Sequence, residues 1–325
     1  GIYELYLKKP LGKLSLFNID KKIIRTTLLE IPKIKTKQQR GNNKTITVHQ
    51  ATYLLNHIYK YAENIGFDGG NPTPEISSLN LPKPNEIHHE FVHPDYAGEY
   101  WNKIKSLTDI QDRVFLKLNV ISVLRANTQS NLTWRMFESG KNRVVIPKEL
   151  MKNASGFITY LPAEIVDDLI ELRKVKVKTN KELTNMGYKP IYNTDDDGYI
   201  FSSQTPTNQF APYNKNRPAK LIKKWGGHFK DKTLHGNRSL FTILANQKTQ
   251  FKFPKEAVEF QLSHARGNKK GRAIEHYIGH ISDWDKSRIE LVNWWCDYIN
   301  EQEKAYILSN KTIQKAQSNK SKKSN

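Results

Sequence analysis

The chain has 325 residues, enough for two domains, one of them with a sizeable core. A hydrophobic share of 37% against 26% charged residues excludes a wholly disordered chain, and no apolar run of ~18 residues exists to span a membrane. Its formal net charge of +20 points to a polyanionic partner, nucleic acid before an anionic membrane surface.

The lone Cys296 excludes an intramolecular disulfide framework and a multi-cysteine zinc site. Its setting, Trp294-Trp295-Cys296-Asp297-Tyr298, reads as a packed helix face. No signal-peptide pattern opens the chain, so a cytoplasmic protein is expected. The first residue is Gly1, which suggests a piece of a longer protein.

Residues 1–65 hold 12 Lys and Arg against 4 Asp and Glu, so this region is basic in its own right. Val48, Ala51, Leu55, Ile58, Ala62 and Ile65 recur at helical spacing and predict a helix over 47–65, stopped by Gly66. Five prolines between Gly69 and Pro94 predict an extended linker. His88, His89 and His93 cluster there with Glu86 and Glu90, but no regular element fixes them as metal ligands.

A second region follows, with helices expected over 96–107 and 109–125. The buried stripe of the second is Ile110, Val114, Leu118 and Ile121. Short strands over 143–146 and 157–161 form a hairpin-like pair. Pro162 opens a helix through Leu172, and residues 176–215 read as polar loop. Asp195-Asp196-Asp197-Gly198 lacks the alternating ligands of a calcium loop and reads as a solvated turn. Helices are expected again over 218–225, 239–246, 254–263 and about 284–308. The tail from Ser309 carries five lysines and no acid, and disorder is expected there.

Cutting DNA without a metal needs a cationic clamp on the phosphate, a nucleophile and a proton donor for the departing oxygen. Arginine suits the clamp because its planar fork gives two hydrogen bonds to phosphate oxygens. A tyrosine nucleophile stores the bond energy as a phosphotyrosine, so rejoining needs no ATP. Two arginines, a lysine, one or two imidazoles and a tyrosine would suffice.

Thr233-Leu234-His235-Gly236-Asn237-Arg238-Ser239 resembles the His-x-x-Arg box of tyrosine recombinases, in the His-Gly-Phe-Arg form of prophage and genomic-island integrases. Phe253 to His264 is similar to that group's helix ending in Leu-Ala-His. Gly271-Arg272-Ala273 and Trp295-Cys296-Asp297-Tyr298 resemble its C-terminal segment. Upstream, Val123-Leu124-Arg125 with Trp134 resembles the first arginine box. Ile146 to Lys152 is similar to the strand turn that supplies a catalytic lysine, and Tyr199 to Ser203 resembles the segment before the central box. Asn71-Pro72 resembles the end of a core-binding domain. The likeness is firm from about 110 to 300 and looser before.

The resemblance implies a site residue by residue. Arg125 and Arg238 would clamp the scissile phosphate. Lys152, with Lys148 as its rival, would protonate the 5′ leaving oxygen. His235 would assist proton transfer or hold the phosphate, and His264 would hydrogen-bond it. Tyr277 would attack. The family places its tyrosine at what is here Ile274, so Tyr277 stands three residues on, about one helical turn. Either a short insertion moves the nucleophile to Tyr277, or the nucleophile is lost. Thr128 stands where relatives often have Glu.

The fold implied is mainly α with a small β-sheet (α+β), forming a C-shaped DNA clamp. It comprises a helical core-binding domain over 1–75, incomplete at its N-terminus and lacking an arm-binding domain, a proline-rich linker over 76–94, a tyrosine-recombinase catalytic domain over 95–308 and a basic tail over 309–325. The function implied is site-specific recombination through a 3′-phosphotyrosine, integrating or excising a mobile element. The alternative is a catalytically impaired, truncated remnant that only binds DNA. The resemblance implies no cofactor, neither metal nor ATP. It implies double-stranded DNA as partner, a homotetramer on synapsed sites, accessory bending or directionality proteins, no membrane, and a cytoplasmic, nucleoid-associated protein of bacterial or phage origin.

Overall fold

A computed structural model describes residues 1–34, 44–82, 90–151, 156–203, 210–248, 253–263 and 281–322. The chain divides into two compact units, Gly1–His88 and His89–Asn325.

The first unit is helical. A π-helical turn at Tyr3–Leu7 runs into α1 (Lys8–Leu11), followed by α2 (Lys21–Glu30) and α3 (Thr45–Asn64). Asp20 starts α2 by accepting a hydrogen bond from the Ile23 amide at 2.7 Å. Gly66, at φ +100°, ends α3 where the sequence predicts a stop. The inner face of α3 is Val48, Ala51, Thr52, Leu55, Tyr59 and Ala62. Ile65 was expected on it, but lies past the last helical turn and is exposed. This stripe closes a core with Leu7, Leu11, Ile24, Leu28, Ile31 and Leu79.

The second unit is built around α5 (Ile110–Ser122), which packs against α4 (Ala97–Lys105), α7 (Ala163–Asn185), α8 (Asn216–Lys224), α9 (Gly236–Lys248) and α11 (Ile281–Lys322). Two short helices, α6 (Ala126–Ser130) and α10 (Lys255–Gln261), are the others among the described residues. The sequence predicts one buried stripe on α5, yet from Gln111 to Ser122 every residue except Arg113 is buried. Such an all-round buried helix is a domain centre. Its polar members are satisfied by partners: Lys117, for example, meets Glu164 at 2.7 Å and also Asp168.

Three antiparallel strands lie in the order β1 (Phe137–Glu138), β2 (Arg143–Ile146), β3 (Phe157–Tyr160). Val144 faces Phe137 on one side and Thr159 on the other. Gly98 lets α4 and α11 cross closely, since a Cβ there would sit 2.2 Å from the Gln302 carbonyl oxygen. Trp101 Nε1 then donates to Asn300 Oδ1 at 2.8 Å and Trp295 Nε1 to the Val120 carbonyl at 2.8 Å, locking α11 onto the core. Cys296 is buried on that face, as the sequence predicts. Burial and Glu164 push its thiol up to about 12.

Two helices outrun their sequence-predicted ends. α7 continues to Asn185 rather than stopping at Leu172: its inward face is carried on by Lys176, which is buried and donates to the Ile200 carbonyl at 2.8 Å, so no apolar residue marks that turn. α11 continues to Lys322, past the expected end near Leu308 and through a tail expected to be disordered. No Gly or Pro interrupts it.

Candidate functional site

Three chain turns converge at one end of α5. At the first, α5 ends at Ser122 and Val123 takes φ +51°. That is an outlier for a β-branched residue, costing on the order of 1–3 kcal/mol. The turn brings Arg125 to the N-cap of α6, half-buried, in extended conformation. The second turn, Thr233 to His235, leads into α9, and Arg238 lies in that helix's first turn. The third is the end of α10, where Ser263 takes φ +49°.

Arg238 ties these turns together. Its Nη1 donates to the Val123 carbonyl and its Nη2 to the Leu262 carbonyl. Arg125 Nη1 donates to Ser263 Oγ at 3.0 Å, the residue next to Leu262. The two guanidinium groups therefore lie on neighbouring anchors. Burial, and next the charge of Arg125, hold Arg238 down to about 10, with Glu259 opposing. Arg238 is only 4% exposed. Two like charges brought together at a desolvated spot form a site suited to an anion. The amides at the N-terminus of α9 add to the same field.

Buried amides brace this arrangement. Asn237 Nδ2 donates to Asn119 Oδ1 at 2.9 Å, and Asn119 Nδ2 donates to the Leu124 carbonyl at 3.1 Å and to Gln129 Oε1 at 2.9 Å. Gln129 Nε2 closes the relay on the Phe115 carbonyl at 2.6 Å. This links the first turn of α9 to the loop that aims Arg125. Gln261 does the same for α10, donating to the Ser122 carbonyl at 3.2 Å and to Thr159 Oγ1 at 3.3 Å. Gly236 is small for a reason. A Cβ there would stand 2.4 Å from the Glu90 carbonyl oxygen and 2.7 Å from Phe91 Cα.

Of the residues expected at the site, Arg125, His235 and Arg238 are described, and the two arginines are brought together. His235 is exposed one turn before Arg238, its carbonyl accepting from the Arg238 amide at 3.1 Å. Lys152, His264 and Tyr277 lie outside the described residues, as does Ile274. The chain neighbours of two of them are described: Met151 precedes Lys152, and Ser263, bonded to Arg125, precedes His264. Lys148 is exposed in the 3-10 turn after β2. Thr128, at the position where an acid was expected, is buried and donates to the Leu150 carbonyl at 3.2 Å. Arg125 is thus steadied by the Ser263 hydroxyl.

Tyr298 packs against Trp294 and Trp295, in keeping with a structural role. Of the histidine cluster in the linker, His93 is described and lies 3.3 Å from Asp95. No group of His, Cys, Asp and Glu able to hold a metal is found among the described residues. No described helix is long and apolar enough to cross a membrane. Sequence reasoning missed Asn119, Gln129, Gln261 and Ser263. Only Asn237 carried a signal, being polar where the resembling box has Phe.

No protein-family model matches the chain, and no curated protein matches it either. Solved structures do. A Tn1549 transposon integrase variant in complex with transposon right end DNA superposes with a TM-score of 0.55 at 12% identity, over 84% of this chain and 90% of that one. The chain has an integrase fold. A lambda integrase dimer bound to a COC′ core site agrees, with a TM-score of 0.51 at 13% identity over 82% of this chain and 67% of that one. A second lambda integrase dimer structure gives 0.52 at 12% over 87% and 84%. The helices around α5 and the three-stranded sheet are thus those of the integrase fold.

Proposed function

We propose that the chain is a site-specific DNA recombinase that cuts and rejoins DNA through a 3′-phosphotyrosine. The observation that carries this reading is the arginine pair. Arg238 is buried, its fork fixed on two carbonyls, beside a second arginine within an integrase fold. Holding such a cation is costly, and the cost is offset when a phosphate lies between the two.

In the proposed reaction Arg125 and Arg238 clamp the scissile phosphate, and His235 and His264 add hydrogen bonds to it. The Tyr277 hydroxyl attacks phosphorus and gives its proton to His235. The bond to the 5′ oxygen breaks, and Lys152 gives that oxygen its proton. Rejoining reverses the step with a new 5′-hydroxyl, so neither metal nor nucleotide enters. By this reading the working form is a homotetramer on two synapsed duplexes, in the cytoplasm of a bacterium or encoded by a phage. Phosphate contacts dominate affinity, so binding falls steeply with salt. The core-binding domain is assigned to 1–75 and the catalytic domain to 95–308.

The second reading, a remnant that binds DNA without cutting it, is favoured by Ile274 at the family's tyrosine position. A suicide duplex from the DNA flanking the gene separates the two. The intact chain is expected to form a covalent adduct resistant to denaturant. An adduct absent from the intact chain, with binding retained, would support the second reading.

A further inference from the structure

The groove between α7 and β1 plays no part in the chemistry proposed above. It has a volume of about 640 Å³, room for several side chains. Its floor is apolar, with Phe137 from β1 and Ile170 and Val177 from α7. Val177 is 48% exposed, an apolar side chain left open on a helix whose neighbouring outward positions are charged. Lys174, Lys178 and Lys181 line the same groove with Arg173, and no carboxylate does among the described residues; Glu182, outside the lining, stands 3.8 Å from Lys178.

Trp134 also lines the groove, with the Arg173 guanidinium 5.2 Å from its ring centroid, and is 2% exposed, so its indole N–H is a buried reporter beside the groove.

A DNA backbone would satisfy the lysines but leave Phe137, Ile170 and Val177 without partners. The chain's own basic tail from Ser309, with five lysines and no acid, has the wrong sign. An occupant with apolar side chains on one face and carboxylates at its flanks fits both features.

We infer that the groove between α7 and β1 docks an acidic amphipathic segment of a partner protein. Its apolar side chains rest on Phe137, Ile170 and Val177, and its carboxylates meet Lys174, Lys178 and Lys181. This surface does not depend on whether the chain cleaves DNA.

The probe is a fluorescein-labelled peptide of about 16 residues, four helical turns, with Leu and Phe on one face and Glu on the other. It is titrated into the full chain and followed by anisotropy. Saturable, salt-sensitive binding is expected. Val177→Asp, and Lys174→Glu with Lys178→Glu and Lys181→Glu together, should each weaken it at least about tenfold, equivalent to 1.4 kcal/mol. Both variants change exposed side chains and should melt with the parent. The Trp134 indole signal, assigned in ¹⁵N spectra through Trp134→Phe, should shift on peptide addition to the parent and stay put in Val177→Asp. Absence of binding, equal binding by a peptide with Lys in place of Glu, or equal affinity in all variants would overturn the inference. So would a duplex that displaces the peptide and is weakened by the same factor in both variants, since the groove would then be a DNA surface.

Discussion

Replacing Arg238 with Met removes the cation and keeps much of the side-chain volume. Two effects on folding oppose each other. Burial and Arg125 hold the guanidinium down to about 10 from the ordinary 12.5. At 1.36 kcal/mol per tenfold change, keeping it charged at neutral pH costs roughly 3 kcal/mol. Its two bonds to the Val123 and Leu262 carbonyls contribute about 1.5–3 kcal/mol each. The difference is about 0–3 kcal/mol, so Arg238→Met should lower stability by no more than about 3 kcal/mol, about 6–12 °C in melting temperature for a unit of this size. An anion reverses the balance in the parent. If sulfate stands in for the phosphate and is present at about ten times its dissociation constant, it should add about 1.4 kcal/mol. The assay is thermal melting in sulfate against chloride at matched ionic strength, for parent and variant. The general salting effect of sulfate is common to both. The parent should gain about 3–6 °C more than Arg238→Met. An equal gain in the two proteins would refute the argument that the arginine pair is an anion site.

Three further outcomes are expected. Gly236→Ala should overpack against Glu90 and Phe91 and cost about 1–3 kcal/mol, lowering the melting temperature and weakening DNA binding; an unchanged melt would contradict the close approach. Lys176 is buried, donates to the Ile200 carbonyl at 2.8 Å and to Ser202 Oγ at 3.0 Å, and burial lowers it to about 7. Its folded value is below its unfolded one, so the unfolded chain binds more protons between about 7 and 10.5, and stability should rise with pH across that window. The slope should reach at most about 1.4 kcal/mol per pH unit and be reduced in Lys176→Met, as chemical denaturation at several pH values would report. The Cys296 thiol, pushed up to about 12 by burial and Glu164, should resist a thiol reagent at pH 8 in the folded chain and react on unfolding; rapid native labelling would contradict its packing.

Sequence pattern revealed an element where one face was apolar and failed where it was not. β2 has the limits the sequence predicts, Arg143–Ile146, with three β-branched residues in a row. The pattern ends α7 at Leu172 because the turns beyond are polar, and the residue that faces inward there, Lys176, counts as surface in any hydrophobic pattern. β1 has only two residues, too few for an alternation to register. At the site, Arg125 and Arg238 were legible because their chemistry limits the residue types that can serve. The braces were not. Asn119, Gln129 and Gln261 act through bonds to one another, to Asn237 or to backbone carbonyls, at separations from 5 to 139 positions that follow no repeating spacing. Ser263 lies 138 positions from Arg125, and only the fold brings them to 3.0 Å.

Mass spectrometry of the trapped protein–DNA complex tests most directly whether the chain forms the proposed phosphotyrosine. After digestion of a suicide-substrate adduct, the peptide bearing the nucleotide should contain Tyr277 with the mass on its phenolic oxygen, and Tyr277→Phe should bind the duplex yet yield no adduct. A nucleotide carried on any other residue, or an adduct that persists in Tyr277→Phe, would contradict the account.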